Sequence, residues 1–377
     1  MYDAMDPSRH SMRFTITKIE FWPVDVPITD PFVVATGTRV TAQNVFVRMS
    51  LASGIQGYGE AAPFPEVGGE TRTTCMASMA SLGEALLGQS VVRYKHLARL
   101  LDDLTASSQP AARCAMETAM LDALCRAAGI PLWALWGGAD LRERECDITI
   151  PIGDSRKTLD LARGWYAQGF RLFKMKVGKN VDEDIARLEA VHQALPGVAF
   201  IGDGNQGFRR DECLAFSEGV KRFGGRLLLL EQPVVREDLE GLSAIRHLTG
   251  IPVAADESVR SLADARMIIE KQAADYVNIK IMKTGVIEAL EIALFVRSAG
   301  LRLMAGGMVE TRIAMACSLS LVLGLGSFDV LDLDTPLLLA EDPVQGGYRY
   351  RGPYLLPWDG PGLDLQAQST HSTTVLQ

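Results

Sequence analysis

Between Phe173 and Lys283 short apolar runs alternate with amphipathic segments, and every apolar run ends in charge. The runs are RLFKMK with Lys174 and Lys176, VAFIGDGN with Asp203 and Asn205, RLLLLEQP with Glu231, IPVAADES with Asp256 and Glu257, and DYVNIKIMK with Lys280 and Lys283. Unbroken apolar runs bounded by polar residues, Pro or Gly predict strands buried on both faces, as in parallel sheets. Successive charged ends stand about 24 to 28 residues apart, the length of one strand, loop and helix. The pattern therefore predicts a repeated β/α unit, an α/β fold built as a (β/α)7-8 TIM-like barrel. In such barrels the C-terminal strand ends converge on one mouth, where the chemistry is kept.

The rest of the chain reads differently. Residues 1–12 are polar and aperiodic, which predicts a disordered N-terminal extension. FTITKIEFWPVDV, QNVFVRMSL and IQGYGEAA predict a β-meander, and the Pro-, Gly- and Thr-containing stretch 27–43 between the first two strands reads as a mobile lid loop. Residues 71–129 switch to helical periodicity in three segments, stopped at Gly129 with Pro131 beyond. Residues 13–137 are thus expected to form an α+β capping domain with an active-site loop. The barrel is assigned to 138–334, with DITIPIG as its first strand and FDVLDLD as its eighth. Residues 335–377 are expected to pack back on the cap and complete it, leaving a disordered tail.

At 377 residues the chain exceeds one ordinary domain. A net charge of -8 without blocks of like charge argues against nucleic acid and anionic membrane as partners, leaving a small soluble ligand. With no apolar h-region and no run of 18 apolar residues, neither a signal peptide nor a membrane span is expected, and the cytoplasm is the predicted location. Cys75, Cys114, Cys125, Cys146, Cys213 and Cys317 form no CxxC pair and read as reduced core residues.

Asp203, Glu231 and Asp256 come from three successive strand ends and offer the oxygens a hard divalent cation prefers, which predicts Mg2+ as cofactor. Lys176 and Lys280 reach the mouth from opposite sides, so each can address one face of a planar intermediate. Lys174, two residues before Lys176, projects to the same side. Its charge favours the neutral amine of Lys176, a usable base, and can stabilise a developing oxyanion. Asp332 and Asp334 share one side of the eighth strand and can hold a substrate ammonium.

These motifs, KxK at Lys174–Lys176, DxNQ at Asp203–Gln206, EQP at Glu231, ADES at Asp256 and NIKxxKxG from Asn278 to Gly285, resemble those of the enolase superfamily, specifically its muconate-lactonizing-enzyme-like subgroup. The likeness runs from Arg13 to about Leu365. It implies Mg2+-assisted removal of the proton α to a carboxylate, with Asp203, Glu231 and Asp256 as ligands, Lys176 and Lys280 as acid/base pair, Lys174 as auxiliary cation, and Asn205 and Glu257 beside the ligands. The Asp332-x-Asp334 run resembles the mark of the dipeptide epimerases, which implies a dipeptide substrate whose free amine sits there. In that resemblance Gly37 and Thr38, beside Thr36, occupy the lid position where an alanyl-glutamate epimerase can carry an Arg. Met308 and Val309 would form an apolar wall, and Thr149 would touch substrate. The expected reaction is inversion of the C-terminal residue of L-Xaa-L-Xaa dipeptides by two-base 1,1-proton transfer, in a homo-oligomer. Alternatives on the same scaffold are an L-Ala-D/L-Glu epimerase strict for glutamate, a muconate cycloisomerase, an o-succinylbenzoate synthase or an N-acylamino acid racemase. A non-catalytic barrel that senses an anionic metabolite is the rival from another class.

Overall fold

The computed structural model describes residues 12–65, 69–105, 109–368 and 373–377, so the predicted extension lies, up to residue 11, outside the described residues. Ile16–Val34, Gly37–Leu51 and Gln56–Ala61 form the antiparallel meander. Its first strand alternates buried Val24, Val26 and Ile28 with exposed Asp25, Pro27 and Thr29, the period that seats one sheet face on a core. The helices Arg72–Leu86 and Pro110–Ala128 cover the opposite face, that of Ile19, Phe21, Val45 and Val47, where Gly57 and Gly59 let Ala115, Ala119 and Ala123 approach; Tyr94–Leu104 packs on those two helices.

Two expectations are corrected. The lid predicted as a loop over 27–43 is a two-stranded ribbon turning at Ala35–Thr36. Its pairing breaks only between Pro27 and Phe32, where prolines 27 and 31 cannot donate to a ladder. The tail is not disordered at its end: Thr374–Leu376 pairs antiparallel with Ile19–Phe21 as the outer strand of the cap sheet.

Among the described residues the barrel sheet has eight parallel strands in sequence order, Ile148–Ile150, Leu172–Lys176, Ala199–Asp203, Leu227–Glu231, Val253–Ala255, Tyr276–Ile279, Arg302–Ala305 and Val330–Leu331. The Asp147 N–H donates to Leu331 O at 2.9 Å, bringing the first and last strands together. Helices begin on side-chain caps, Asp154 to Lys157 N, Asn180 to Asp182 N, Asp238 to Gly241 N and Ser261 to Asp264 N, which end each strand–helix loop at a fixed place. Inside, Leu172, Ile201, Leu229, Ala254, Tyr276 and Val330 form an apolar layer. Each stands two residues before Lys174, Asp203, Glu231, Asp256, Asn278 or Asp332, so the period-2 pleat stacks a polar layer directly on an apolar floor.

Cap and barrel are joined through buried acids. Glu117, from the last long cap helix, accepts Val286 N at 2.6 Å and Ile287 N at 2.9 Å, the opening of barrel helix Val286–Ser298. Glu60, ending the cap meander, accepts Thr311 N at 2.8 Å and Ala314 N at 3.1 Å, the opening of helix Arg312–Leu325. A carboxylate there meets both the orphan amides and the positive end of the helix dipole. Among the described residues no helix is long and apolar enough to cross a membrane.

Candidate active site

The polar layer gathers charges from six of the eight strands. Lys174 Nζ lies 2.6 Å from Asp332 Oδ2, 2.8 Å from Glu231 Oε2 and 3.0 Å from Asp203 Oδ2, at 1% side-chain exposure. Lys176 Nζ lies 2.6 Å from Asp203 Oδ2, and Lys280 Nζ 2.6 Å from Asp256 Oδ2 and 3.9 Å from Glu231 Oε1. The surroundings of Lys176 are therefore not only cationic, as the KxK spacing alone suggests: the aligned pairing of Lys176 with Asp203 on the next strand supplies a carboxylate.

Burial opposes ionisation of Asp203, but Lys174 and Lys176 outweigh it and hold the carboxyl at about 2. Glu231 goes the other way. Burial and the neighbouring Asp203 charge push it up to about 8, and its Oε2 receives no well-angled hydrogen bond although the Lys174 ammonium is 2.8 Å away. A buried, electron-rich oxygen in that position suits an added cation, and three carboxylates suit a hard one such as Mg2+. Around Lys174 and Lys280 burial favours the neutral amine, yet the facing carboxylates prevail and both stand above the ordinary lysine value.

Among the described residues, the acids that each bring one oxygen within 4.8 Å of the others are a different trio, Asp147, Asp332 and Asp334. The ammonium groups of Lys174 and Lys280 stand between Asp203, Glu231 and Asp256 instead. Burial and then the Asp332 charge raise Asp334 to about 7. Its Oδ2 accepts Thr149 N at 2.6 Å, an inward-facing brace between the eighth strand and the first.

A narrow cavity of about 50 Å³ opens over this layer, lined by Thr149, Lys176, Asn205, Asp256, Glu257, Lys280 and Asp332 on the barrel side. Phe32, Val34, Thr36, Phe64 and Met308 form its apolar wall, and Phe32 lies 5.5 Å from Lys176 Nζ. Of the predicted lid contacts, Thr36 lines the cavity and Gly37 and Thr38 do not, because the ribbon's turn carries them past its rim. Val309 is also off the wall: it is buried, with its carbonyl accepting Asn44 Nδ2 at 2.9 Å. Asp334, braced to Thr149, does not line the cavity, and Arg39 lies 4.1 Å over the Phe64 ring, behind the wall.

Three residues at this layer, Lys283, Asn278 and Asp147, are not among the expected site residues. Lys283 donates to Asp256 Oδ1 and Asp256 O, both at 2.6 Å, and Asn278 Nδ2 donates to Glu231 Oε1 at 2.9 Å. Asn278 had a signal, since it precedes Lys280 by two positions on one strand. Asp147 had less, for an acid at a strand's start is usually solvated.

Two family models match the chain: the N-terminal domain of the mandelate racemase/muconate lactonizing enzymes over residues 16–137, and the enolase C-terminal domain-like model over residues 157–369. An aromatic dipeptide epimerase of Herpetosiphon aurantiacus is 42% identical over 94% of this chain and 100% of its own length. An L-Ala-D/L-amino acid epimerase of Populus trichocarpa is 41% identical over 89% of this chain and 81% of its own. The solved dipeptide epimerase of Cytophaga hutchinsonii, complexed with Mg and D-Ala-L-Val, superposes with a TM-score of 0.92 at 28% identity, covering 96% of this chain and 100% of that one.

Proposed function

Because this chain belongs to the mandelate racemase/muconate lactonizing enzyme family of the enolase superfamily, we propose that it is a Mg2+-dependent dipeptide epimerase inverting the C-terminal residue of L-Xaa-L-Xaa dipeptides. The observation that carries the reading is that Lys176 and Lys280, from the second and sixth strands, line one cavity with Asp256 and Asp332.

Asp203, Glu231 and Asp256 are the residues proposed to hold Mg2+, whose charge, when bound, stabilises negative charge building on the substrate carboxylate. Lys176, as a free amine, takes the α-proton from one face. The C–H electron pair moves into the carboxylate to give an enediolate, and Lys280, as an ammonium, returns a proton to the other face; the reverse reaction exchanges the roles. Lys174, held charged by burial-defying contacts with Asp203, Asp332 and Glu231, contributes fixed positive charge beneath the reacting carboxylate. Asp332 faces the cavity and can accept the substrate ammonium, while Asp334 positions Thr149 beside it.

In this reading the cap, residues 13–137, sets which side chain is accepted, the barrel, 138–334, does the chemistry, and 335–377 completes the cap. The buried free cysteines suit a reducing cytoplasm. Homo-oligomerisation belongs to the same proposal. The test is α-proton exchange in D2O with Mg2+ present. The unaltered protein exchanges both epimers, and Lys280→Ala and Lys176→Ala each lose epimerisation by roughly a thousandfold or more while each spares deuterium uptake from one epimer. Unchanged exchange from both epimers in Lys280→Ala sinks the two-base assignment.

A further inference from the structure

A second, larger cavity of about 280 Å³ lies beside the reaction cavity and shares two lining residues with it, Phe32 and Thr149. Three segments run from one cavity into the other. The lid ribbon gives Val34 and Thr36 to the inner cavity and Ile28 to the outer. The end of the first barrel strand gives Thr149 to both and Pro151 to the outer. The segment leaving the eighth strand gives Asp332 and Thr335 to the inner and Leu337 and Leu338 to the outer. Ile152 N donates to Val33 O at 2.9 Å and Ile28 bridges Leu339, so the ribbon is pinned on both sides of this passage. Leu161 and Trp165, on helix Ser155–Ala167, close the far side. Charge stays at the rim, where Asp30 pairs with Lys157 at 3.1 Å.

The inner cavity, at about 50 Å³, holds only a few waters at the roughly 10–15 Å³ that one water needs on this measure, too little for a whole dipeptide, against about 280 Å³ in the outer one. The rest of a dipeptide must lie elsewhere. Resting on the epimerase reading, we propose that the outer cavity receives the side chain of the substrate's N-terminal residue and favours a large apolar or aromatic one. The reacting α-carbon is confined between Lys176 and Lys280, which line only the inner cavity, and the ammonium belongs at Asp332. From there Thr149 is the shared wall, so the side chain on the ammonium-bearing carbon points past it toward Pro151, Leu161, Trp165, Leu337 and Leu338.

Gly164 supplies the test. It lines the outer cavity on the same helix, and a Cβ built there meets nothing within 4 Å, so a side chain can be started at this wall without its first carbon striking the fold. kcat/KM is measured for Gly-L-Leu, L-Ala-L-Leu, L-Leu-L-Leu and L-Phe-L-Leu. The unaltered enzyme is expected to prefer L-Leu-L-Leu and L-Phe-L-Leu over Gly-L-Leu by roughly tenfold or more, as one apolar pocket discriminates by size. Gly164→Phe should bring that ratio down by about the same factor, and Leu161→Gln should lower it too. A ratio near one in the unaltered enzyme, or one unmoved by Gly164→Phe with its circular dichroism intact, overturns the subsite while Gly-L-Leu turnover leaves the epimerase reading standing. No α-proton exchange with any of the four dipeptides overturns both.

Discussion

Two regions of this molecule bury carboxylates, and they satisfy them in opposite ways. At the joint between cap and barrel, Glu60 and Glu117 accept main-chain amides at helix openings, and within the cap Asp122 likewise accepts Tyr58 N and Leu363 N. At the barrel mouth, Asp203, Glu231, Asp256 and Asp332 face lysine ammonium groups. A main-chain amide cannot leave, so an acid it binds is committed to the architecture. A lysine side chain can swing away, so its acid stays available to an ion or a substrate. The division is one of degree, since Glu117 also pairs with Arg113 at 2.9 Å and Asp203 Oδ1 also accepts Asn205 N at 3.1 Å.

The contrast breaks most visibly at the joint. Glu117→Ala should cost about 3 kcal/mol or more of stability, since it orphans two helix amides and leaves the Arg113 guanidinium, now 2.9 Å from Glu117, partly unpaired. Thermal denaturation reads this, with exchange per folded molecule expected to persist; an unshifted melting temperature would mean the joint does not depend on that acid. Next comes the mouth. Saturating Mg2+ should raise the melting temperature, by about 2.7 kcal/mol of stabilisation at a hundred times its Kd, and Asp203→Asn should abolish the rise together with exchange. Chelation should remove activity and leave a folded protein.

The smallest effect comes from Glu310, which lies between the two regions. Burial pushes its carboxyl from 4.5 up to about 8. The folded chain then keeps a proton that the unfolded chain releases, so this group favours folding least above pH 8. Stability should fall gently as pH rises from about 4.5 to 8 and level off beyond. Glu310→Gln should flatten that slope in denaturant titrations; an unaltered slope would place the proton elsewhere.

The mouth was legible because its residues obey local rules. Charge at the end of an apolar run, at β/α spacing, places Lys174, Lys176, Asp203, Glu231, Asp256 and Lys280 together without any knowledge of distant contacts. The joint was not legible. Glu117 and Glu60 look like ordinary helix and strand acids, and the amides they accept lie 170 and 251 positions away, with only the Thr311 hydroxyl as a side-chain donor from the barrel to Glu60. The lid ribbon was hidden by prolines that deny ladder bonds at only a few positions, and the final strand is too short to announce a partner sheet near the other end of the chain.

One consequence of the joint concerns how such a molecule can change over evolutionary time. Glu60 and Glu117 grip atoms that every amino acid except proline possesses. Positions 286, 287 and 314 can therefore drift without loosening the grip, provided proline stays out, whereas Thr311 also donates its hydroxyl to Glu60 Oε2 at 2.8 Å. A cap carrying both glutamates is thus matched mainly to where two barrel helices start, and little to the side chains those helices carry.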